Sequence, residues 1–352
     1  MILSRATIHA VGTNRFESRR IGWVKSASRA PASPSLSFVR QPGIAISTKI
    51  MIQMQRTGGA VPELISIIVT TFERPDALAL VLRALAQQTD RDFEVVVADD
   101  GSGSETAELV ASWRSRLGVP LSHVWHEHRG FRAGEIRNRA ILAARGAYCI
   151  FLDGDCVPRR DFVAAHRQLA ERGWFVTGNR VLLSACCTKQ VLQDQEAPEV
   201  WTLRDLLARR RRSEINRLLP ALSLPLGPLR KLRSRTWEGA RSCNLAVWRS
   251  DLGRVDGFDG AFSGWGLEDS DLLVRLLHAG LRRKDGAFAT GVLHLWHPHS
   301  DRSSLPENRA RLDAVIAGDR VRAERGLSAQ QSVVSFASGR HLQIEAEAAS
   351  NS

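Results

Sequence analysis

The sequence contains no run of about 18 consecutive apolar residues, which a helix needs to cross a bilayer, so no membrane-spanning helix is expected. Its five cysteines (Cys149, Cys156, Cys186, Cys187, Cys243) are odd in number and include no CxxC pair. That excludes an evenly paired disulfide framework, argues against a zinc knuckle, and fits a reducing cytoplasm. Neither GxGxxG nor GxxxxGK[ST] occurs, which counts against a dinucleotide enzyme and a P-loop NTPase. A nucleotide bound here would need its phosphates neutralised by a metal or by arginines.

What is abundant is positive charge: 49 Lys and Arg against 37 Asp and Glu, a formal +12 over 352 residues. Such a surplus first suggests a nucleic-acid or anionic-membrane partner. Its distribution is regional. Residues 1–58 hold nine basic residues and one acid, residues 202–237 hold ten and two, and the rest of the chain is slightly acidic. The 43% hydrophobic content is enough to fill a core of one large domain or two small ones.

Residues 1–58 are rich in Ser, Ala and Arg without apolar periodicity, and read as a disordered arm, a transit-like segment or a misassigned start. Order begins at Leu64–Thr70, a β-branched run with the mark of a strand buried on both faces. Pro75 sits where a helix starts, followed by Leu78, Leu82 and Leu85 at helical spacing. A strand over Phe93–Ala98, a helix over about 104–117, a strand near 121–126, a helix near 133–145 and a strand over Tyr148–Leu152 follow. This alternation predicts an α/β fold with a largely parallel sheet covered by helices, and ligands bound beyond the carboxyl ends of its strands.

Those strand ends carry Thr70-Thr71-Phe72-Glu73-Arg74, Asp99-Asp100-Gly101-Ser102 and Asp153-Gly154-Asp155. Asp-x-Asp occurs three times, at 90/92, 153/155 and 269/271, and position selects the second: it directly follows a strand. Hard divalent cations take carboxylate oxygens, so one of two such aspartates can hold an ion while the other contacts a sugar. Asp99-Asp100 reads equally as a base- or ribose-binding pair and as ordinary turn chemistry.

In this order, Thr-Thr-Phe-Glu-Arg-Pro, Val-Val-Ala-Asp-Asp-Gly-Ser, Ala-x-x-x-Arg-Asn-x-Ala and Phe-Leu-Asp-Gly-Asp resemble the inverting family 2 glycosyltransferases of the GT-A fold, over about residues 64–183. The resemblance implies a nucleotide-sugar donor, usually UDP-linked, and Mn²⁺ or Mg²⁺. It implies Thr71, Glu73 and Asp100 around the uridine, Asp153 near the ribose and sugar, and Asp155 on the metal. Arg137 and Asn138 match the family's Arg-Asn pair and, with Arg74, are expected on the donor; a helix-surface pair is their structural alternative.

Residues 237–300 hold a second cluster, Trp237 to Asn244 and then Phe262-Ser263-Gly264-Trp265-Gly266-Leu267-Glu268-Asp269-Ser270-Asp271. Trp265 between glycines offers either a sugar-stacking face or a core residue, and Glu268 and Asp269 begin a helical stripe where carboxylates also complement the helix dipole. Direct displacement at an anomeric carbon needs a base for the acceptor hydroxyl, remote from the charge that stabilises the leaving group. The segment is similar to the galactosyltransferase-type C-terminal segment, also seen in chondroitin-polymerase-like bacterial enzymes. That resemblance implies Asp269 as base, with Trp265, Gly266 and Glu268 on the acceptor; Asp271 is left between a site role and a helix cap.

His294, His297 and His299 follow a strand-like run, Phe288–Leu293, and similar enzymes place a metal-binding histidine nearby. His294 and His297 both qualify and His299 is the outsider; alternation along an extended segment predicts that one of the two binds. Arg209 to Arg212 and the Arg230 to Arg235 stretch flank a leucine-rich, proline-broken segment that suits an anionic membrane interface or, equally, a solvated insert. Without interleaved aromatics, no nucleic-acid binding is expected.

The expected organisation is a basic arm (1–60), a nucleotide-sugar-binding half (61–201), a basic insert (202–236), an acceptor and catalytic half (237–300) and a C-terminal helix and tail (301–352). The expected function is metal-dependent inverting transfer of a hexose or N-acetylhexosamine to a glycan or glycolipid, in the cytoplasm or on the inner membrane face. The rivals are a sugar-nucleotide-forming nucleotidyltransferase, whose glycine-rich lysine loop is missing after the first strand, and a nonenzymatic membrane- or nucleic-acid-binding protein on a degenerate version of the fold.

Overall fold

A computed structural model describes residues 61–219, 222–298 and 301–330. The expected arm over 1–60, His299 and the tail beyond 330 lie outside the described residues. Within them, β1 (Ile65–Thr71), α1 (Pro75–Ala86), β2 (Phe93–Asp99), α2 (Ser104–Trp113), β3 (Leu121–Trp125), α3 (Ala133–Ala143) and β4 (Tyr148–Asp153) alternate. Pro75 opens α1, and Leu78, Leu82 and Leu85 are buried along it, as the spacing predicts. The helix expected to reach 117 ends at Trp113, where the chain tightens into turns.

β1 pairs in parallel with β2 and β4, and β2 with β3. Side chains of β1 alternate between two cores: Ile65, Ile67 and Val69 pack with the leucines of α1, and Ile68 packs with Ile136 and Ala140 of α3. That two-sided burial is why the strand reads as a continuous apolar run.

Further along come β5 (Cys156–Pro158), α4 (Phe162–Leu169), β6 (Trp174–Thr177), β7 (Arg180–Leu182), α5 (Ala185–Gln193) and α6 (Leu203–Arg211). β8 (Asn244–Trp248), α7 (Arg249–Val255), α8 (Glu268–His278), β9 (Arg282–Asp285), β10 (Val292–His294) and α9 (Leu305–Ala317) complete the described elements. The main sheet has the order β3-β2-β1-β4-β8-β6-β9, with β8 antiparallel to both neighbours. A small second sheet has the order β5-β10-β7.

The strand expected over Phe288–Leu293 is shortened to β10. The Asp285 carboxylate accepts from the Ala287 N–H, Thr290 N–H closes back on Gly286 O, and Phe288 adopts φ 59°. A turn therefore consumes the first half of that apolar run.

Candidate active site

A cleft of about 860 Å³ opens beyond the carboxyl ends of β1, β2 and β4, where strand-end side chains converge. Thr70, Thr71, Arg74, Asp100, Arg137, Asp153 and Asp155 line one part of it, and Trp265, Gly266, Glu268 and Asp269 another. Predicted residues from both halves of the sequence thus share one cavity, although Glu73, Asn138 and His294 do not line it.

At the β1 and β2 end, Asp100 is buried and accepts from His126 Nε2 at 2.6 Å and from the Arg132 N–H at 2.9 Å. The Thr71 hydroxyl is buried without a hydrogen-bond partner among the described residues. Phe72, on the cleft wall, stacks on His128 with ring centroids 4.4 Å apart. Arg74 lines the cleft while paired with Asp76 at 2.9 Å.

Two residues expected on the donor, Glu73 and Asn138, are not among those that line the cleft. Glu73 accepts from the Gly103 N–H at 2.9 Å, satisfying the N-terminus of α2. Asn138 is fully buried, with its amide donating to Phe258 O and accepting from Phe258 N–H, both at 2.8 Å. These two bonds join α3 to the segment before α8 and keep the amide inside the core.

Arg137 does face the cleft and connects its two parts. Its guanidinium donates to Thr70 Oγ1 at 3.0 Å, to Asp153 Oδ1 at 3.1 Å and to Glu268 Oε1 at 3.1 Å. Asp269, beside Glu268 at the start of α8, accepts from the Ser242 N–H at 3.3 Å and the Ser270 N–H at 2.7 Å. Burial and the neighbouring Asp269 carboxylate push the Glu268 carboxyl up to about 7, against the opposing pull of Arg137. Asp271, a step further, points into the core, where it pairs with the fully buried Arg275 at 2.6 Å. It neither lines the cleft nor caps the helix.

The Gly-Trp-Gly turn owes its shape to backbone freedom. Gly266 has φ +108° and Leu267 φ 73°, and Asn308 of α9 donates to Ser263 O and Gly266 O, both at 3.0 Å. This holds Trp265 half-buried at the cleft, where Arg302 stands over its indole at 5.1 Å.

Beyond β4, Gly154 lets the chain fold tightly: its N–H donates to Thr70 O at 2.7 Å, and a Cβ there would meet that oxygen at 3.0 Å. Asp155 is delivered to both histidines. His294 Nε2 is 3.6 Å from Asp155 Oδ1, and His297 Nε2 is 3.5 Å from Asp155 Oδ2. Alternation would set the two rings on opposite faces, and the end of β10 prevents that. The strand stops at His294, and Leu295 N–H to Asp155 O and Trp296 N–H to Thr188 Oγ1 turn the chain so that His297 returns.

One carboxylate and two imidazoles suit a borderline or hard divalent cation. Asp155 Oδ1 is buried without a hydrogen-bond partner among the described residues, and its ligand atoms and those of both histidines lie within 4.8 Å of one another. Burial also keeps the His294 imidazole below its ordinary pKa despite Asp155, favouring the neutral ring a metal requires.

Sequence reasoning missed His126 and His128, although they follow β3, a strand end that the same carboxyl-end rule covers. It also missed Arg180, at the start of the three-residue β7, and Arg241, both on the cleft wall.

Two family models match the chain: "Glycosyl transferase family 2" over residues 66–224 and "N-terminal domain of galactosyltransferase" over 230–297. Among curated relatives, a validoxylamine A glucosyltransferase of Streptomyces hygroscopicus subsp. jinggangensis is 30% identical over 232 residues, 62% of this chain and 52% of that one. A chondroitin synthase of Escherichia coli is 28% identical over 64% of this chain and 34% of its own length. A hyaluronan synthase of Pasteurella multocida is 28% identical over 61% of this chain and 23% of its own. The chain therefore spans between 23% and 52% of the length of these relatives. With both models matched in tandem over residues 66–224 and 230–297, and the sheet edge and Glu268-Asp269 turn in one cleft, the chain is similar in both of its halves to the family 2 glycosyltransferases.

Proposed function

We propose that the cleft transfers a hexose or N-acetylhexosamine from a nucleotide sugar, UDP-linked, to a glycan or glycolipid hydroxyl with inversion. The observation that carries this reading is Arg137, which ties the strand-end Asp153 to the Glu268-Asp269 turn across one cavity. A donor lies along β1, β2 and β4, with its base near Thr71 and Asp100 and its sugar at Asp153. The acceptor enters over Trp265, and Asp269 accepts the proton of the attacking hydroxyl as the new glycosidic bond forms. The Ser242 and Ser270 N–H groups orient that carboxylate. Inversion follows if base and leaving group lie on opposite faces of the sugar.

Mn²⁺ or Mg²⁺ held by Asp155, His294 and His297 would supply positive charge for the leaving diphosphate. Arg180 and Arg241 on the same wall add fixed charge of the same sign.

The reading also includes an anionic membrane surface. Val200, Leu203, Leu207, Leu219, Leu224, Leu229 and Leu232 are exposed within one stretch, interspersed with exposed Arg204, Arg210, Arg211, Arg217, Arg233 and Arg235. Apolar side chains beside arginines match a lipid interface in both polarity and charge.

A screen of nucleotide sugars for metal-dependent hydrolysis and transfer tests the chemistry. A UDP-sugar should turn over with Mn²⁺ or Mg²⁺. Asp269→Asn should lower kcat by about 10²–10⁴ while retaining nucleotide binding, and Asp155→Ala should remove the metal dependence. Unchanged turnover in both variants would sink the assignment.

A further inference from the structure

Behind the cleft wall lies a second cluster of metal-ligating atoms that the proposed transfer does not use as a unit. Cys156 Sγ, Cys243 Sγ and an Asp153 carboxylate oxygen all lie within 4.8 Å of one another. They come from different parts of the chain: Cys156 opens β5, Cys243 immediately precedes β8, and Asp153 ends β4. Both cysteines are free thiols, fully buried or nearly so, while Asp153 and Cys243 also line the cleft, which provides an entry path.

We infer that Asp153, Cys156 and Cys243 form a binding site for a thiophilic divalent cation such as Zn²⁺, separate from the Asp155, His294 and His297 ligands, and that its occupation blocks the enzyme. Tetrahedral Zn²⁺ with thiolates at about 2.3 Å sets its sulfurs roughly 3.8 Å apart, so the side chains need close by no more than about 1 Å. The chemistry also separates the two groups of ligands. Two sulfurs select a soft or borderline ion, whereas one carboxylate and two imidazoles accept harder ones.

Charge is provided for as well. Two thiolates and one carboxylate around a divalent ion leave one net negative charge. Arg180 Nη1 stands 3.7 Å from Cys243 Sγ, and Arg137 holds Asp153 from the other side. Binding releases the two thiol protons to solvent, with no change of oxidation state. It also takes up the Asp153 carboxylate that the proposed donor sugar needs, so a thiophilic ion and a nucleotide sugar compete for one residue.

The test titrates Co²⁺, then Zn²⁺ in competition, into the full chain carrying Cys186→Ser to remove the exposed thiol, under a phosphine reductant. In the Asp155→Ala background, which removes the other proposed ligand set, a thiolate-to-cobalt charge-transfer band should saturate at one ion per chain, with two protons released per ion in weak buffer. Cys243→Ser and Cys243→Ala should each weaken binding by at least about 100-fold, and Asp155→Ala should leave the band in place. Absence of the band, or its survival in both Cys243 variants with unchanged affinity, overturns the site and leaves two thiols that merely pack. These optical and proton readouts do not depend on the proposed transfer reaction. A separate arm does: Zn²⁺ should suppress Mn²⁺-supported donor hydrolysis in the parent and do so far less in Cys243→Ser. Persistent inhibition in that variant, with the band lost, would remove the blocking role alone.

Discussion

Glu268 combines burial, a like charge at Asp269 and an opposite charge at Arg137. Its carboxyl is raised to about 7 from an ordinary 4.5, so the folded protein holds a proton that the unfolded chain has released between those values. Stability from this group is fully present below about 4.5 and is lost as pH rises toward 7. Relative to wild type, Glu268→Gln should therefore gain stability across that window by up to roughly 3 kcal/mol and show a constant difference above it. Denaturant midpoints of both proteins between pH 4 and 8 measure this; parallel pH profiles would remove the raised carboxyl from the account. The pH readout is independent of turnover, so a loss of activity in Glu268→Gln does not confuse it.

At the scale of elements, Asn244 shows how a polar residue can fasten strands. Its amide donates to Asn179 O at 3.2 Å and to Thr290 O, while its oxygen accepts from His166 of α4 at 3.1 Å. His166 is completely buried, and its Nδ1 has no partner among the described residues, so a second ring proton would find none of them to bond. Desolvation lowers its pKa to about 4, which gives the opposite slope from Glu268: stability is present above about 6.5 and is lost as pH falls to 4. His166→Gln should flatten that acid limb by up to roughly 3 kcal/mol. An acid limb as steep as wild type would assign the loss to other groups.

Such fastenings mark the boundary of what the sequence discloses. β1, β2 and β4 were legible because burial on both faces leaves an unbroken apolar run, and the cleft followed from where those runs end. β5, β7 and β10 are three residues each, too short for a period, and they exist because they pair with one another. Hence the return of His297 to Asp155 could not be read from alternation. Asn138 shows a different limit: a motif gives residue type and order, whereas the direction of its amide is fixed by Phe258, 120 residues away.

Over the whole molecule, the regional charge acquires structure. Not every arginine of the basic insert is free for a partner. Arg209 pairs with Glu214 at 2.9 Å and with Glu196 and lies over Trp201, while Arg230 donates to backbone oxygens of Leu224, Asp285 and Ala287. Arg204, Arg210, Arg211, Arg217, Arg233 and Arg235 remain exposed beside the outward leucines. Each is worth on the order of 1 kcal/mol near an anionic surface. Co-sedimentation with phosphatidylserine vesicles should fall at least tenfold in Leu203→Ser/Leu207→Ser and in Arg210→Gln/Arg211→Gln, with little binding to neutral vesicles. Equal sedimentation of all forms would end the membrane assignment. Among the described residues no helix is long and apolar enough to cross a membrane.

The antiparallel β8 has a consequence for how the chain reaches this form. It lies between β4 and β6, so the centre of the sheet is completed by residues that leave the ribosome almost a hundred positions after β4. Until then β4 presents an open, apolar edge of the kind that invites wrong pairing. The nascent protein must hold a half-built sheet through the synthesis of its own basic insert. Its slowest folding step is therefore expected to be the late insertion of Asn244–Trp248.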